Sequence, residues 1–204
     1  MKRDPLLTRL RLRCAALVSS VGRMLALVLV AIFALAQSST AQAQTEAERA
    51  LEHRVKAAFL YRFTEYVNWP NAARARPDAP FVIAVVGSEP VAEELRQITI
   101  GRTVSGRPVE VRRAAGAEAM APAQIVFIAD SERQRLRDVI RAAPRNALVV
   151  TETEGALAQG SVINFVLLEG RVRFEISLDS AEKRALRLSS RLLAVAQSVR
   201  PGTH

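Results

Sequence analysis

The stretch SVINFVLLEGRVRFEIS, residues 161–177, decides the fold at its C-terminal end. Two apolar-rich runs flank Glu169–Gly170, which reads as a two-residue turn between antiparallel strands. That turn fixes the pairing: Leu168 opposite Arg171, Val166 opposite Arg173, Asn164 opposite Glu175. One face then carries Ile163, Phe165, Leu167, Val172, Phe174 and Ile176, all apolar. The other carries Asn164, Arg171, Arg173 and Glu175 beside aliphatic residues. A slip of one residue would send the apolar set to the wrong side, so the register is firmly specified. Asn164, Arg173 and Glu175 form the most concentrated polar feature of the sequence. Cross-strand neighbours and diagonals bring them within reach of one another, and arginine can grip a carboxylate with two hydrogen bonds. Two readings stay open for them: a structural polar network beneath a helix, or an exposed sheet face that binds a partner.

Upstream of the hairpin the pattern is different. FVIAVVG (81–87), QIVFIA (124–129) and ALVVT (147–151) are short continuous apolar runs, the mark of strands buried on both faces. A further strand is expected around 109–112, after a turn at Ser105–Gly106. Between them lie helical segments. Ser88 is placed to cap one, with Pro90 in its first turn and Val91, Leu95 and Ile98 inward. Ser131 and Gln134 have the spacing of a capping box ahead of Leu136, Val139, Ile140 and Ala143, with Arg133, Arg137 and Arg141 outward. A short helical turn is expected at 155–159. Strands alternating with helices predict an α/β fold: a mostly parallel sheet with helices on both faces, completed by the C-terminal antiparallel β-hairpin.

Five of the ten aromatic residues fall in VKAAFLYRFTEYVNWP (55–70). Helical spacing places Leu51, Val55, Phe59, Phe63, Tyr66 and Trp69 on one face, widened by Leu60 and Val67, broad enough for deep packing against a sheet. Pro70 ends this helix, and residues 71–80 form a loop. Tyr61 falls on the opposite, polar side, which makes it a candidate contact for a partner. Arg62 reads as a snorkelling side chain. After the hairpin, Asp179 and Glu182 have capping spacing, and a last helix is expected from Ser189 to Val199 with Leu192, Val195, Ala196 and Val199 inward.

Residues 1–43 have the layout of a secretory signal peptide, with cleavage expected near Ala43. Six basic residues precede the apolar run MLALVLVAIFALA (24–36), and AQA (41–43) supplies small residues. The run has thirteen residues, against ~20 for a spanning helix. The start codon itself could lie further in. The 204-residue chain has 29 basic and 20 acidic residues. Six of the basic and one of the acidic residues belong to this leader, leaving residues 44–204 with 23 against 19. No basic cluster suggests nucleic-acid binding. Cys14, the single cysteine, is also in the leader, so the expected mature domain, 44–204, contains no thiol for a disulfide, a thiolate metal site or nucleophilic catalysis.

The search for chemistry yields little. His53 and His204 have no partner at metal-ligand or catalytic spacing, and VVGSEP has one glycine, short of a dinucleotide fingerprint. In a parallel sheet the loops that come after the strands make the usual ligand crevice. Here that edge gathers Gly87, Ser88, Asp130, Ser131, Glu152 and Glu154. Ser88, Asp130, Ser131 and Glu152 are accordingly the candidate lining of a small-ligand crevice. Three carboxylates there have the chemistry to hold a divalent cation; the simpler reading is that Asp130 and Ser131 cap a helix and the two glutamates are solvated. No cofactor, metal or catalytic residue is assigned.

Three quoted segments carry a resemblance: HRVKAAFLYRFTEYVNWP (53–70), GRTVSGRPVEVRR (101–113) and SVINFVLLEGRVRFEISLDSAEKRALRLSSRLLAVA (161–196). Together with the apolar strands between them, they resemble the YfiR family of exported regulators over nearly all of residues 48–200. The resemblance implies a periplasmic α/β domain that is not an enzyme. The best-known member binds the periplasmic sensor domain of an inner-membrane diguanylate cyclase and holds it off. Members commonly dimerise, so a homodimer is a further expectation. A small-ligand sensor using the strand-end crevice is the alternative. On the regulator reading, Tyr61, Arg171, Arg173 and Glu175 are the candidate partner contacts. The chain departs from the family pattern at Arg62, where the family has Asn, and in its cysteines: the family's disulfide-based redox response has no cysteine to act through in residues 44–204.

Overall fold

The computed structural model describes residues 44–69 and 79–202. The expected signal peptide, Pro70, most of the expected 71–80 loop and His204 lie outside them. Residues 44–66 are helical (α1). The chain divides into two compact units at Arg49/Ala50, and the sheet with its packed helices belongs to the second.

After α1 come β1 (Val67–Asn68), β2 (Phe81–Val86), α2 (Glu89–Thr99), β3 (Thr103–Val104), β4 (Arg107–Arg113), α3 (Ala117–Met120) and β5 (Ile125–Ile128). A 3-10 turn, Asp130–Arg135, leads into α4 (Leu136–Ala142), then β6 (Leu148–Thr151) and a second 3-10 turn, Ala156–Gln159. The chain continues with β7 (Ile163–Leu168), β8 (Arg171–Ser177), α5 (Leu178–Lys183), β9 (Arg187–Leu188), α6 (Ser190–Ala194) and β10 (Ser198–Arg200). Eight strands form a sheet in the order β10-β8-β7-β6-β5-β2-β4-β3. The β4-β2-β5-β6-β7 block is parallel, β8 is antiparallel to β7, and β3 is antiparallel to β4. The short strands β1 and β9 pair separately. This is the predicted α/β architecture.

Alternation explains why β2 is buried at all six positions. Phe81, Ile83 and Val85 enter one core cluster with α1 and α2, while Val82, Ala84 and Val86 enter the opposite one with α4. The sheet therefore carries a hydrophobic layer on each face, and the central strands β2, β5 and β6 contribute to both by their two-residue period.

Helix α1 is rotated from its expected orientation. Ala57, Leu60 and Phe63 are its buried apolar centre, whereas Leu51 is 59% exposed. Phe59 and Phe63 pack on Phe165 and Phe174 of the hairpin at centroid separations of 5.4–6.1 Å. Lys56, which no sequence pattern marks, points inward and is 8% exposed. Tyr61 is half-buried against the core, not on a polar flank, with the Arg102 guanidinium 5.3 Å from its ring centroid. Arg62 is exposed.

Three local expectations are corrected. Ser131 does not cap a helix: it lies in the 3-10 turn, and its hydroxyl donates to Gly87 O at 2.8 Å. The cap of α5 is Ser177, whose Oγ accepts from Ser180 N at 3.2 Å, while Asp179 pairs with Lys183. The expected last helix stops at Ala194. Gln197 N then donates to Phe174 O at 2.8 Å, and 198–200 pair with 175–177 of β8. Helical spacing is present there, but β8 would otherwise present an unpaired row of backbone groups, and strand pairing satisfies it.

Candidate functional site

The hairpin register is the one predicted, from Ile163↔Ile176 to Leu168↔Arg171. Glu169 and Gly170 have φ of 50° and 72°, the left-handed pair that a two-residue turn requires. β7 meets β6 only at Ile163 and Asn164, and β10 meets β8 only from Glu175 onward. Among the described residues, 166–173 are therefore a two-stranded ribbon with no third strand beside it.

Its two faces differ. On the α1 side Phe165 and Phe174 are buried, Val172 is half-buried, and Leu167 is 58% exposed. The other side shows Val166 and Leu168 on β7, the latter 41% exposed, facing Arg173 and Arg171 on β8, both exposed. The α4-side core does not reach this ribbon, because its strand residues come from β2, β5 and β6. In parallel β10, Ser198 lies beside Glu175 and Arg200 beside Ser177, so Arg200 joins Arg171 and Arg173 on this face. None of these three arginines makes an ion pair or hydrogen bond with another described residue.

Asn164, Arg173 and Glu175 share this face, but their side chains do not bond to one another. Asn164 is 3% exposed, and its Oδ1 accepts from the Thr151 hydroxyl at 2.7 Å. Thr151 Oγ1 also lies 2.9 Å from Ser161 Oγ, whose hydroxyl donates to Ile163 O at 2.8 Å. Glu175 accepts from Ser198 Oγ at 3.2 Å. The buried network thus ties β7 to β6 through small hydroxyls, and Arg173 is left to solvent. Thr151 and Ser161 carry no distinguishing sequence signal.

At the strand-end edge the candidate side chains bond to their neighbours, and a depression of about 760 Å³ lies beside Ser88, lined also by Gly87, Glu89, Arg112 and Arg113. Ser88 Oγ caps α2 by accepting from Val91 N at 3.4 Å. Ser131 bridges to Gly87 across the gap between β2 and β5. Asp130 pairs with Arg133, and its backbone N–H donates to Glu152 Oε1 at 3.0 Å. The other oxygen of Glu152 takes Lys56 Nζ at 2.6 Å, and Lys56 also bonds Glu52. Burial works against the Lys56 ammonium, but hydrogen bonds and charge from Glu152 and Glu52 outweigh it and hold the amine above the ordinary lysine range. Among the described residues no group of three or more His, Cys, Asp or Glu is placed to hold a metal ion.

A cleft of about 1050 Å³ opens at the opposite ends of the parallel strands, lined by Tyr61, Trp69, Phe81, Arg107, Gln124 and Asn146 among others. Three of its polar side chains are bonded to the protein. Trp69 Nε1 donates to Gln124 O at 3.2 Å, Arg107 Nε to Ala79 O at 2.7 Å, and Gln124 Oε1 accepts from Val82 N at 2.8 Å. Tyr61 is thus part of this cleft's wall, at the strand edge away from the ribbon.

The family model described as YfiR/HmsC-like matches residues 53–197, most of the chain. No curated protein matches the sequence. Among solved structures, a conserved domain protein from Vibrio cholerae O1 biovar El Tor is similar at 14% identity with a TM-score of 0.44, over 58% of this chain and 54% of that one. The chain spans about half the length of that protein.

Proposed function

This chain belongs to the YfiR/HmsC-like family, and on that premise we propose that it is a periplasmic, non-enzymatic regulator. In this reading it binds the periplasmic sensor domain of an inner-membrane diguanylate cyclase and represses it, lowering cyclic-di-GMP output and with it biofilm formation. The family is a regulatory one tied to cyclic-di-GMP signalling, which supports the general role. A regulator of this kind shifts the cyclase only by binding its inactive state more tightly than its active state.

The observation that carries the reading is the uncovered ribbon. Leu167 and Leu168 are large apolar side chains left in solvent on opposite faces of the ribbon, and Arg171 and Arg173 share the face of Leu168 without a bonded partner among the described residues. Apolar residues beside arginine are the composition of protein contact surfaces. Arg171, Arg173 and Glu175 are therefore the proposed contacts. Tyr61 has weaker support, since it is half-buried in a different region. The small-ligand alternative has less support, because Ser88, Asp130, Ser131 and Glu152 each bond to their own neighbours.

The test is a chromosomal deletion complemented with the wild-type gene, with cyclic-di-GMP and biofilm measured, together with copurification of membrane proteins on the tagged mature chain. Deletion should raise cyclic-di-GMP, and a cyclase should copurify. Unchanged cyclic-di-GMP with no membrane protein recovered discards the reading.

A further inference from the structure

We infer that the ribbon face of Val166, Leu168, Arg171 and Arg173 binds a segment of the partner protein that carries two carboxylates about 7 Å apart alongside an apolar edge. The inference rests on the regulator reading above and adds the chemistry of the contact.

The geometry sets the requirement. Arg171 and Arg173 are two residues apart on β8, so they stand about 7 Å apart along the strand. Val166 and Leu168 lie directly across on β7, about 5 Å away. The face is thus a cationic column beside an aliphatic column. Arg200 extends the cationic side through the β8–β10 pairing. Glu175, the carboxylate on this face, accepts from Ser198 and forms no ion pair with the arginines, which outnumber it three to one. Two carboxylates at i and i+2 of a strand, or at i and i+4 of a helix, match the arginine spacing. Each could take a guanidinium in a two-pronged contact.

Charge selects among occupants. A second copy of this chain apposed on the face would bring three arginines toward three more. An anionic bilayer meets Glu169 at the turn, the first residue a membrane-seeking tip would present. A protein segment with carboxylates fits both the arginine column and the acidic turn, because it approaches the flank of the ribbon and not its tip.

The experiment uses the full chain expressed from its own locus, with cyclic-di-GMP as the readout. R171E/R173E should raise cyclic-di-GMP to the level of the deletion strain, while R171K/R173K should retain at least half of the repression. Repression by R171E/R173E at the wild-type level overturns the inference, and so does equal loss in both double variants. L168D separates the inference from the regulator reading beneath it. If L168D fails to repress while R171E/R173E succeeds, the docking face stands and its partner is apolar. If both repress normally, the docking face falls as well. Purified variants with unchanged melting temperatures establish that folding is intact. Cosedimentation of the wild-type protein with phosphatidylglycerol vesicles, abolished in R171E/R173E, would assign the face to lipid and overturn the inference.

Discussion

Lys56 Nζ lies 2.6 Å from Glu152 Oε2, and the two side chains are 9% and 16% exposed. This pair fastens α1 to the loop after β6. Through the second oxygen of Glu152 it also fixes the backbone at Asp130. Lys56→Met removes the cation and leaves Glu152 and Glu52 without it. Breaking a largely buried, hydrogen-bonded pair costs about 2–3 kcal/mol. Urea denaturation of the mature chain should show that drop; a change below about 0.5 kcal/mol, the scatter of surface substitutions, would mean that the pair is incidental.

The same pair gives a pH dependence with a definite sign. The Lys56 amine is held above its ordinary value in the folded protein. A raised lysine contributes stability that is complete below the unfolded value of about 10.4 and disappears as pH rises through the folded value. The gap in stability between wild type and Lys56→Met should therefore be constant from about pH 7 to 9 and narrow above about pH 10.5. A gap that closes on the acid side of neutrality would place its origin in another group.

Gly87 is where β2 hands over to α2, at φ 82°. A Cβ there would stand 2.4 Å from Ser131 Oγ and 2.8 Å from Glu132 Cγ. Gly87→Ala combines left-handed backbone strain with loss of the Ser131 bridge, together about 2 kcal/mol or more. Ser131→Ala loses the bridge alone and should cost about 1 kcal/mol. Thermal melts that rank the two variants in the reverse order would contradict this account.

Arg184, after α5, reaches back to α4. Its two terminal nitrogens donate to Ile140 O and Pro144 O, each at 3.0 Å. Burial lowers its pKa from the usual arginine value. The guanidinium takes up a carbonyl left free at the end of α4, where a positive charge is also favoured by the helix dipole. Arg184→Ala should lower stability by about 1–3 kcal/mol. Arg184→Lys should recover only part, since an ammonium does not span both oxygens with a rigid fork. Full recovery by lysine would show that charge alone matters here.

Thr151→Val tests the buried hydroxyl network. Valine keeps the volume but leaves Asn164 Oδ1 without its donor in a 3% exposed side chain. The cost should be about 1–3 kcal/mol, read in a denaturant titration. Native-state hydrogen exchange should show faster opening of the β7–β8 hairpin than of β2. Uniform acceleration across the sheet would mean that Thr151 supports the whole core and not this junction.

The parts of the fold that could be read in the chain are those whose cause is local. Continuous apolar runs such as 81–86 mark strands covered on both sides. Glu169–Gly170 sets the hairpin pairing to the residue, because a two-residue turn leaves one register. The candidate contacts Arg171 and Arg173 were legible for the same reason: alternation separates them from Phe174. The orientation of α1 was not legible. Its apolar residues spread too widely around the helix to choose an azimuth, and the ion pair of Lys56 with Glu152, 96 positions away, helped to turn Lys56 inward and Leu51 outward. Asn164 and Glu175 were placed opposite each other correctly, yet their hydrogen bonds went to Thr151 and Ser198, on strands whose adjacency is a matter of sheet order.

By itself the sequence determined the buried strands of the sheet and the main helices between them, how the hairpin pairs and which side chains share its faces, since periodicity and turn chemistry act over a few residues. Only the tertiary structure decided which partners the strand-end side chains bond, that the tail becomes β10 instead of a longer helix, and that the ribbon at 166–173 has no described strand beside it. Those outcomes depend on which distant segments compete for the same backbone edge or the same buried charge. That competition is settled by packing and hydrogen-bond satisfaction across the whole domain, and no short stretch of chain contains it.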